Sequence, residues 1–242
     1  MKSLYESILS STNVGKASLI RAWLDKNGIK KYTINDKLEI DVDGWVVLTN
    51  NHLSEFPEYI QFNIVKGNFF CSFNGLTSLR GVPREVGGKF DCSNNSLTTL
   101  EDSPEKVGGN FECHHNKLKT LEGAPKEVGG SFYCSFNNLT TLEGAPEKVG
   151  EWFYCDNNNL TSLEGAPNSI RGDFDCHNNK LTSLEGAPKK VGGFFDCSEN
   201  KLVSIEGAPK KVGGDFYCNS NKAKFTEDDV NKVCKVKKDI YI

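Results

Sequence analysis

The chain has 242 residues, a formal net charge of −3 and nine cysteines. With no excess of positive charge it does not read as a protein that tracks nucleic-acid phosphates. No apolar run approaches the roughly 18 to 20 residues needed to cross a bilayer, and MKSLYESILSST lacks the apolar core of a secretion signal, so a cytoplasmic protein without a membrane partner is expected.

Residues 1–28 read as helical. Leu4, Tyr5, Ile8 and Leu9 form one apolar stripe, Ala17, Ile20, Trp23 and Leu24 form a second, and Gly28 is placed to stop the helix. SSTNVGKAS resembles a phosphate-binding loop only superficially: Ser10 stands where the first glycine should, and Ala17 follows Lys16 where Ser or Thr is needed. From Tyr32 the period changes to two, with Asn35 and Asp36 as a turn between Ile34 and Leu38.

A fixed frame then takes over. Cys71, Cys92, Cys113, Cys134, Cys155, Cys176, Cys197 and Cys218 stand 21 residues apart, and Asn74 to Asn221 keep step with them. Such a period marks a solenoid of stacked coils, none of which can bury its apolar face alone. Each coil follows V-x-G-x-F-x-C-x-x-N-x-L-x-x-L-x-x-x-P. Phe and Cys share the inner face of a short strand, the two leucines fill the far side of the core, and the asparagine sits where the chain leaves the strand. One cysteine per coil reads as a small buried side chain in a reducing compartment, not as a disulfide framework. The prolines, Pro83 to Pro209, fall on a return side expected to be extended and unpaired. Val42, Gly44, Val46, Leu48, Asn51, Leu53 and Phe56 form an atypical first coil. Glu151 and Arg171 replace repeat glycines, and Ala223 replaces the last leucine.

F-x-C-x-x-N-x-L-x-x-L with a proline-containing return resembles the leucine-rich repeat, in its short bacterial type. The wording LTSLEGAP-x-x-VGG-x-F-x-C-x-x-N is similar to repeat proteins encoded by tailed bacteriophages and some gut bacteria. The resemblance covers about residues 38–225. It implies an α/β repeat fold: a right-handed solenoid with a parallel β-sheet on its concave face and helical caps at both ends. The expected division is an N-terminal cap and leading strand over 1–37, the solenoid over 38–222, and a C-terminal cap over 223–242. In that last part Thr226 and Asp229 look like a capping box, Val230, Val233, Cys234 and Val236 supply an apolar stripe, and KKDIYI suits a final strand.

Framework positions explain the fold, so specificity must lie in the outward positions that vary. The row between Phe and Cys reads Phe70, Asp91, Glu112, Tyr133, Tyr154, Asp175, Asp196, Tyr217. Its neighbours bring Trp152, Asp173 and Phe194 on one side, and Asp156, His177 and, one residue further along its coil, Phe136 on the other. Tyr133, Phe136, Trp152, Tyr154, Asp156, Asp173, Asp175, His177, Phe194 and Asp196 therefore form the expected protein-binding site, an aromatic anchor beside an acidic wall that suits a partner with a basic patch. A purely structural account stands beside it, in which the aromatics stack along their rows to support the sheet. Asp156, His177 and Ser198 occupy one row in the order of a nucleophilic triad, but a flat open sheet offers no oxyanion hole. The cysteines run in a line and His114 and His115 stand three coils from His177, so neither metal nor cofactor is expected.

The overall expectation is a non-enzymatic binding module, monomeric until its partner is added. The phage resemblance implies action in a bacterial host cytoplasm on a host protein such as a defence factor. The alternative is a structural or adhesin-like subunit that docks a sister subunit.

Overall fold

The computed structural model describes residues 12–242, so the stripe formed by Leu4, Tyr5, Ile8 and Leu9 lies outside the described residues. The first helix, α1, spans Asn13–Lys26. Thr12 Oγ1 accepts the Gly15 amide at 3.0 Å to cap it, and the chain leaves through Gly28 at φ +68°. Gly15 and Lys16 are thus first-turn helix residues and form no phosphate loop. Ile20 and Leu24 are fully buried, while Trp23 meets the rings of Phe56 and Phe62 with centroids 6.3 Å away. The helix closes the open end of the first coil by this contact. No helix among the described residues is long and apolar enough to cross a membrane.

Tyr32–Ile34 pairs antiparallel with Ile40–Val42 through the expected turn, where Asn35 Oδ1 accepts the Lys37 and Glu39 amides at 2.9 and 3.0 Å. All later pairing is parallel, and stacked coils build the solenoid that the repeat pattern implies. One ten-stranded sheet runs from Val46–Val47 through Phe69–Phe70 and each Phe-Xaa pair to Phe216–Tyr217 and finally Ile240–Tyr241. Equivalent residues face each other across coils, Phe132 against Phe153 and Tyr133 against Tyr154 for example. Every outward position becomes a straight row in this register.

The return side is more ordered than expected. The prolines are buried, and the Xaa-Val pairs that follow them form strands of their own. These make a seven-stranded sheet ending at Lys148–Val149 and a four-stranded sheet from Ser169–Ile170 to Lys235–Val236. The two sheets are separate for a steric reason. Where the return turns toward the strand face, each coil presses its first glycine onto the carbonyl of the equivalent glycine in the coil before, and a Cβ on Gly129, Gly150 or Gly213 would overlap that oxygen. Arg171 brings a Cβ to this position, and the return sheet breaks between Val149 and Ile170 while the strand face continues through Phe153 and Phe174.

Between the sheets lies one continuous core. The rings from Phe69 to Phe216 stack coil on coil at centroid separations of 5.3 to 5.8 Å. The cysteines are free and buried, and burial pushes their thiols up. At the coil's corner the asparagines form the ladder suggested by their spacing. Asn158 Nδ2 donates to the carbonyls of Cys134, Cys155 and Asp156, each at 3.1 Å, and Asn158 Oδ1 accepts the Leu139 amide at 3.0 Å.

The second helix, α2, spans Glu227–Val233 behind a Thr226–Asp229 capping box. Beyond it Lys235–Val236 joins the return sheet and Ile240–Tyr241 joins the strand face, so the chain completes one further turn of the stack.

Candidate functional site

The strand face is held flat by the core beneath it, so its outward side chains gather in rows set roughly 4.8 Å apart. Trp152 flanks Tyr154 on one coil, their rings nearly parallel at 12° and 6.1 Å. Tyr133 meets Tyr154 edge-on at 5.4 Å, Tyr154 meets Phe194 at 6.3 Å, Phe194 meets Tyr217 at 6.0 Å, and Tyr217 stacks on Tyr241 at 4.6 Å. This aromatic band bridges the intervening coil above Asp173, whose Oδ1 accepts the Phe194 amide at 2.9 Å and whose Oδ2 lies 3.5 Å from the Tyr154 hydroxyl. Burial and the neighbouring Asp173 charge push the Tyr154 phenol up, so it stays a neutral donor.

Trp152 remains 42 % exposed and Phe136 47 %. Phe136 has a further peculiarity: it sits at φ +53°, a left-handed conformation that bulky side chains rarely adopt. The whole row beside the strand shares that conformation, from Phe73 through Asn94, His115, Phe136, Asn157 and Asn178 to Ser220. Asparagine suits it. Phenylalanine does not, and Phe136 gains only a stacked contact with His115 at 4.4 Å in return. Backbone strain spent on an exposed apolar ring points to a surface kept for contact.

The acidic residues divide into different roles. Asp156 is buried and accepts hydrogen bonds from Ser135 Oγ and, at 2.7 Å, from Asn157 Nδ2. Asp175 Oδ1 lies 2.8 Å from His177 Nδ1 and accepts the His177 amide at 3.0 Å. The partner of His177 is thus Asp175, its neighbour two residues back, and not Asp156 in the adjacent coil as row order suggests. Ser198 donates to Asp196 at 2.6 Å and not toward His177, so the triad order in the sequence is not assembled. Ligand-capable atoms of Asp156, Asp175 and His177 all lie within 4.8 Å of one another, so the structure brings together three residues of the expected site that come from two different rows. They are engaged with each other, with Ser135 and with Asn157.

The hydrogen bond to Asp175 holds the His177 imidazolium, aided by Asp156 and Asp196 and opposed by burial, and lifts its pKa from 6.5 to about 9. A group raised on folding contributes stability that is complete below its unfolded value and is lost as pH climbs through the folded one. Melting temperature is therefore expected to fall between pH 6.5 and about 9, and His177→Asn to flatten that slope. An unchanged slope in the variant would show that the imidazolium is not the cause.

Sequence reasoning missed a second apolar cluster on the same face. Trp45 is 67 % exposed, lies 6.4 Å from Phe70, and is accompanied by Val47 and Phe73 at 56 % and 59 %. The signal was present, since Trp45 precedes Val46 as Trp152 precedes Phe153, but the outward rows were followed only from the first regular coil onward.

No family model and no curated protein matches the chain. Among solved structures it is similar to YopM from Yersinia enterocolitica WA-314, at 17 % identity over 66 % of this chain and 50 % of that one, with a TM-score of 0.41. The chain thus spans about half the length of that protein.

Proposed function

We propose that this chain is a non-enzymatic protein-binding module that uses the strand face around Trp152 and Tyr154. One observation carries the reading: a half-buried aromatic band, exposed at Trp152 and with Phe136 held in a strained conformation beside it, runs over carboxylates on a rigid parallel sheet. A sheet-supporting role would favour buried rings, whereas Trp152 and Phe136 are both exposed and Phe136 also holds a left-handed backbone. From Ser131 onward the three outward rows carry Asp156, Asp173, Asp175, Asp196, Asp215 and Asp239 against a single cation, His177, and neither lysine nor arginine. The complementary partner is basic at its contact surface. The phage-like wording of the repeats makes a bacterial host protein, such as a defence factor, the partner class to test first.

Affinity capture from bacterial lysate with the wild-type chain, Trp152→Ala and Phe136→Asn tests this. Asparagine relieves roughly 1 kcal/mol of left-handed strain, so Phe136→Asn should melt no lower than wild type while retaining much less of the captured protein. Equal retention by all three chains would overturn the reading, as would a loss of stability that matches the loss of capture.

A further inference from the structure

The row between Phe and Cys contains the same quartet twice, aromatic, acid, acid, aromatic, on four successive coils. The first is Phe70, Asp91, Glu112, Tyr133 and the second Tyr154, Asp175, Asp196, Tyr217. Within each quartet neighbouring members pair directly across adjacent strands. The two sites share their inner hydrogen bonding as well. Ser93 donates its amide and hydroxyl to Asp91 Oδ1, the His177 amide and ring nitrogen engage Asp175 Oδ1, and Ser198 donates twice to Asp196 Oδ1.

The first quartet is filled by the chain itself. Lys89 lays its ammonium 2.7 Å from Glu112 Oε2 and 3.5 Å from Asp91 Oδ2, with the Phe70 ring centroid 5.6 Å away. Lys89 stands two residues before Asp91. The equivalent position in the second quartet is Asp173, which adds a carboxylate where the first quartet has a lysine, so the one cation there is His177, held on Asp175 Oδ1 and not between the two acids. Asp175 Oδ2 and Asp196 Oδ2, the counterparts of the oxygens that hold Lys89, receive no hydrogen bond or ion pair from any described residue. Asp175 is 14 % exposed and Asp91 13 %, so the two sites are equally sheltered.

Resting on the proposed protein-binding role of this face, we infer that the second quartet is the receptor for a lysine side chain of the partner, its ammonium taking the place between Asp175 and Asp196 that Lys89 takes between Asp91 and Glu112. The Tyr154 and Tyr217 rings bound the site at either end, and Phe194 links them along one side, which suits a cation flanked by aromatic faces. The electrostatics agree with an occupied and an unfilled site. Burial pushes Glu112 up, yet hydrogen bonds from His114 and Lys89 hold its carboxyl below the ordinary value. Asp196 has no hydrogen-bonded cation: burial raises it, the Asp175 charge adds to this, and the Ser198 hydrogen bonds and the more distant His177 charge fall short of reversing it.

The inference is tested with a Gly-Gly-Lys-Gly-Gly peptide, its Nε-acetylated form and the arginine analogue, followed by chemical-shift changes at Tyr154, Asp175, Asp196 and Tyr217. The lysine peptide should perturb this set in the wild type, and acetylation should remove the effect. Asp173→Lys supplies an internal ammonium, so it should abolish peptide binding; because it also removes the acceptor of the Phe194 amide, its unchanged backbone shifts away from the site confirm that it is folded. Asp173→Asn keeps an acceptor for the Phe194 amide and should still bind. Lys89→Ala empties the first quartet and should create a second set of shifts at Phe70, Asp91, Glu112 and Tyr133. Binding that survives Asp173→Lys, the lack of a second site in Lys89→Ala, preference for the arginine peptide, or the absence of shifts would each overturn the inference. A protein captured through Trp152 but indifferent to Asp173→Lys would overturn it while leaving the broader binding role intact.

Discussion

Asn158→Ala is expected to lose roughly 3–5 kcal/mol of stability. The amide of Asn158 serves the carbonyls of Cys134, Cys155 and Asp156 and the amide of Leu139, and the side chain is only 8 % exposed. Alanine removes all four contacts and leaves buried backbone groups that water cannot reach. Each unsatisfied group costs about 1–3 kcal/mol, so even partial relaxation leaves a large deficit. The damage falls on two coils at once, because the ladder joins each coil to the one before it. In a nearest-neighbour stack, loss of one interface weakens the cooperative link between the segments on either side. Urea unfolding should therefore show a lower midpoint and a broader transition. A shift worth less than about 1 kcal/mol would mean that the corner is held by the ladder of strands alone.

Gly129→Ala is expected to cost roughly 2–4 kcal/mol by a different route. A Cβ at this position overlaps the Gly108 carbonyl and stands 2.8 Å from its carbon, and both atoms are backbone that cannot rotate away. The coils must separate locally. Arg171 shows the form that separation takes, since the return sheet is interrupted there and the strand face is not. Hydrogen exchange should report lost protection at the Gly129 amide, which now bonds the Val107 carbonyl at 3.0 Å, with protection kept at Phe132 and Cys134. Arg171→Gly is the reciprocal case and should join the seven-stranded and four-stranded sheets. Unchanged protection in Gly129→Ala would show that the corner tolerates a methyl group.

The solenoid was legible because its physics repeats. A side chain buried in one coil is buried in every coil, so Phe, Cys, Asn and Leu declare their positions eight times over. The rows on the strand face were legible for the same reason, since parallel pairing without slippage turns sequence position into lateral position. Contacts within a row and between rows were not. His177 shares a row with Asp156 in the adjacent coil, yet the two-residue reach along its own strand gives it Asp175 as hydrogen-bond partner. The return side was read as unpaired because proline cannot donate to a ladder, but the strand begins two residues after each proline, where the ban no longer applies.

The sequence by itself determined the coil length, the composition of the core, the helical start and finish, and the residues that share each outward row. All of these follow from periodicity, which a chain carries without reference to its folded form. Only the tertiary structure decided that Phe136 holds a left-handed backbone, that Arg171 interrupts the return sheet, and that Lys89 fills one acidic pair while Asp175 and Asp196 keep free oxygens. These depend on how closely one coil approaches the next and on which rotamer reaches across the gap, distances of a few ångströms that the repeat pattern leaves open.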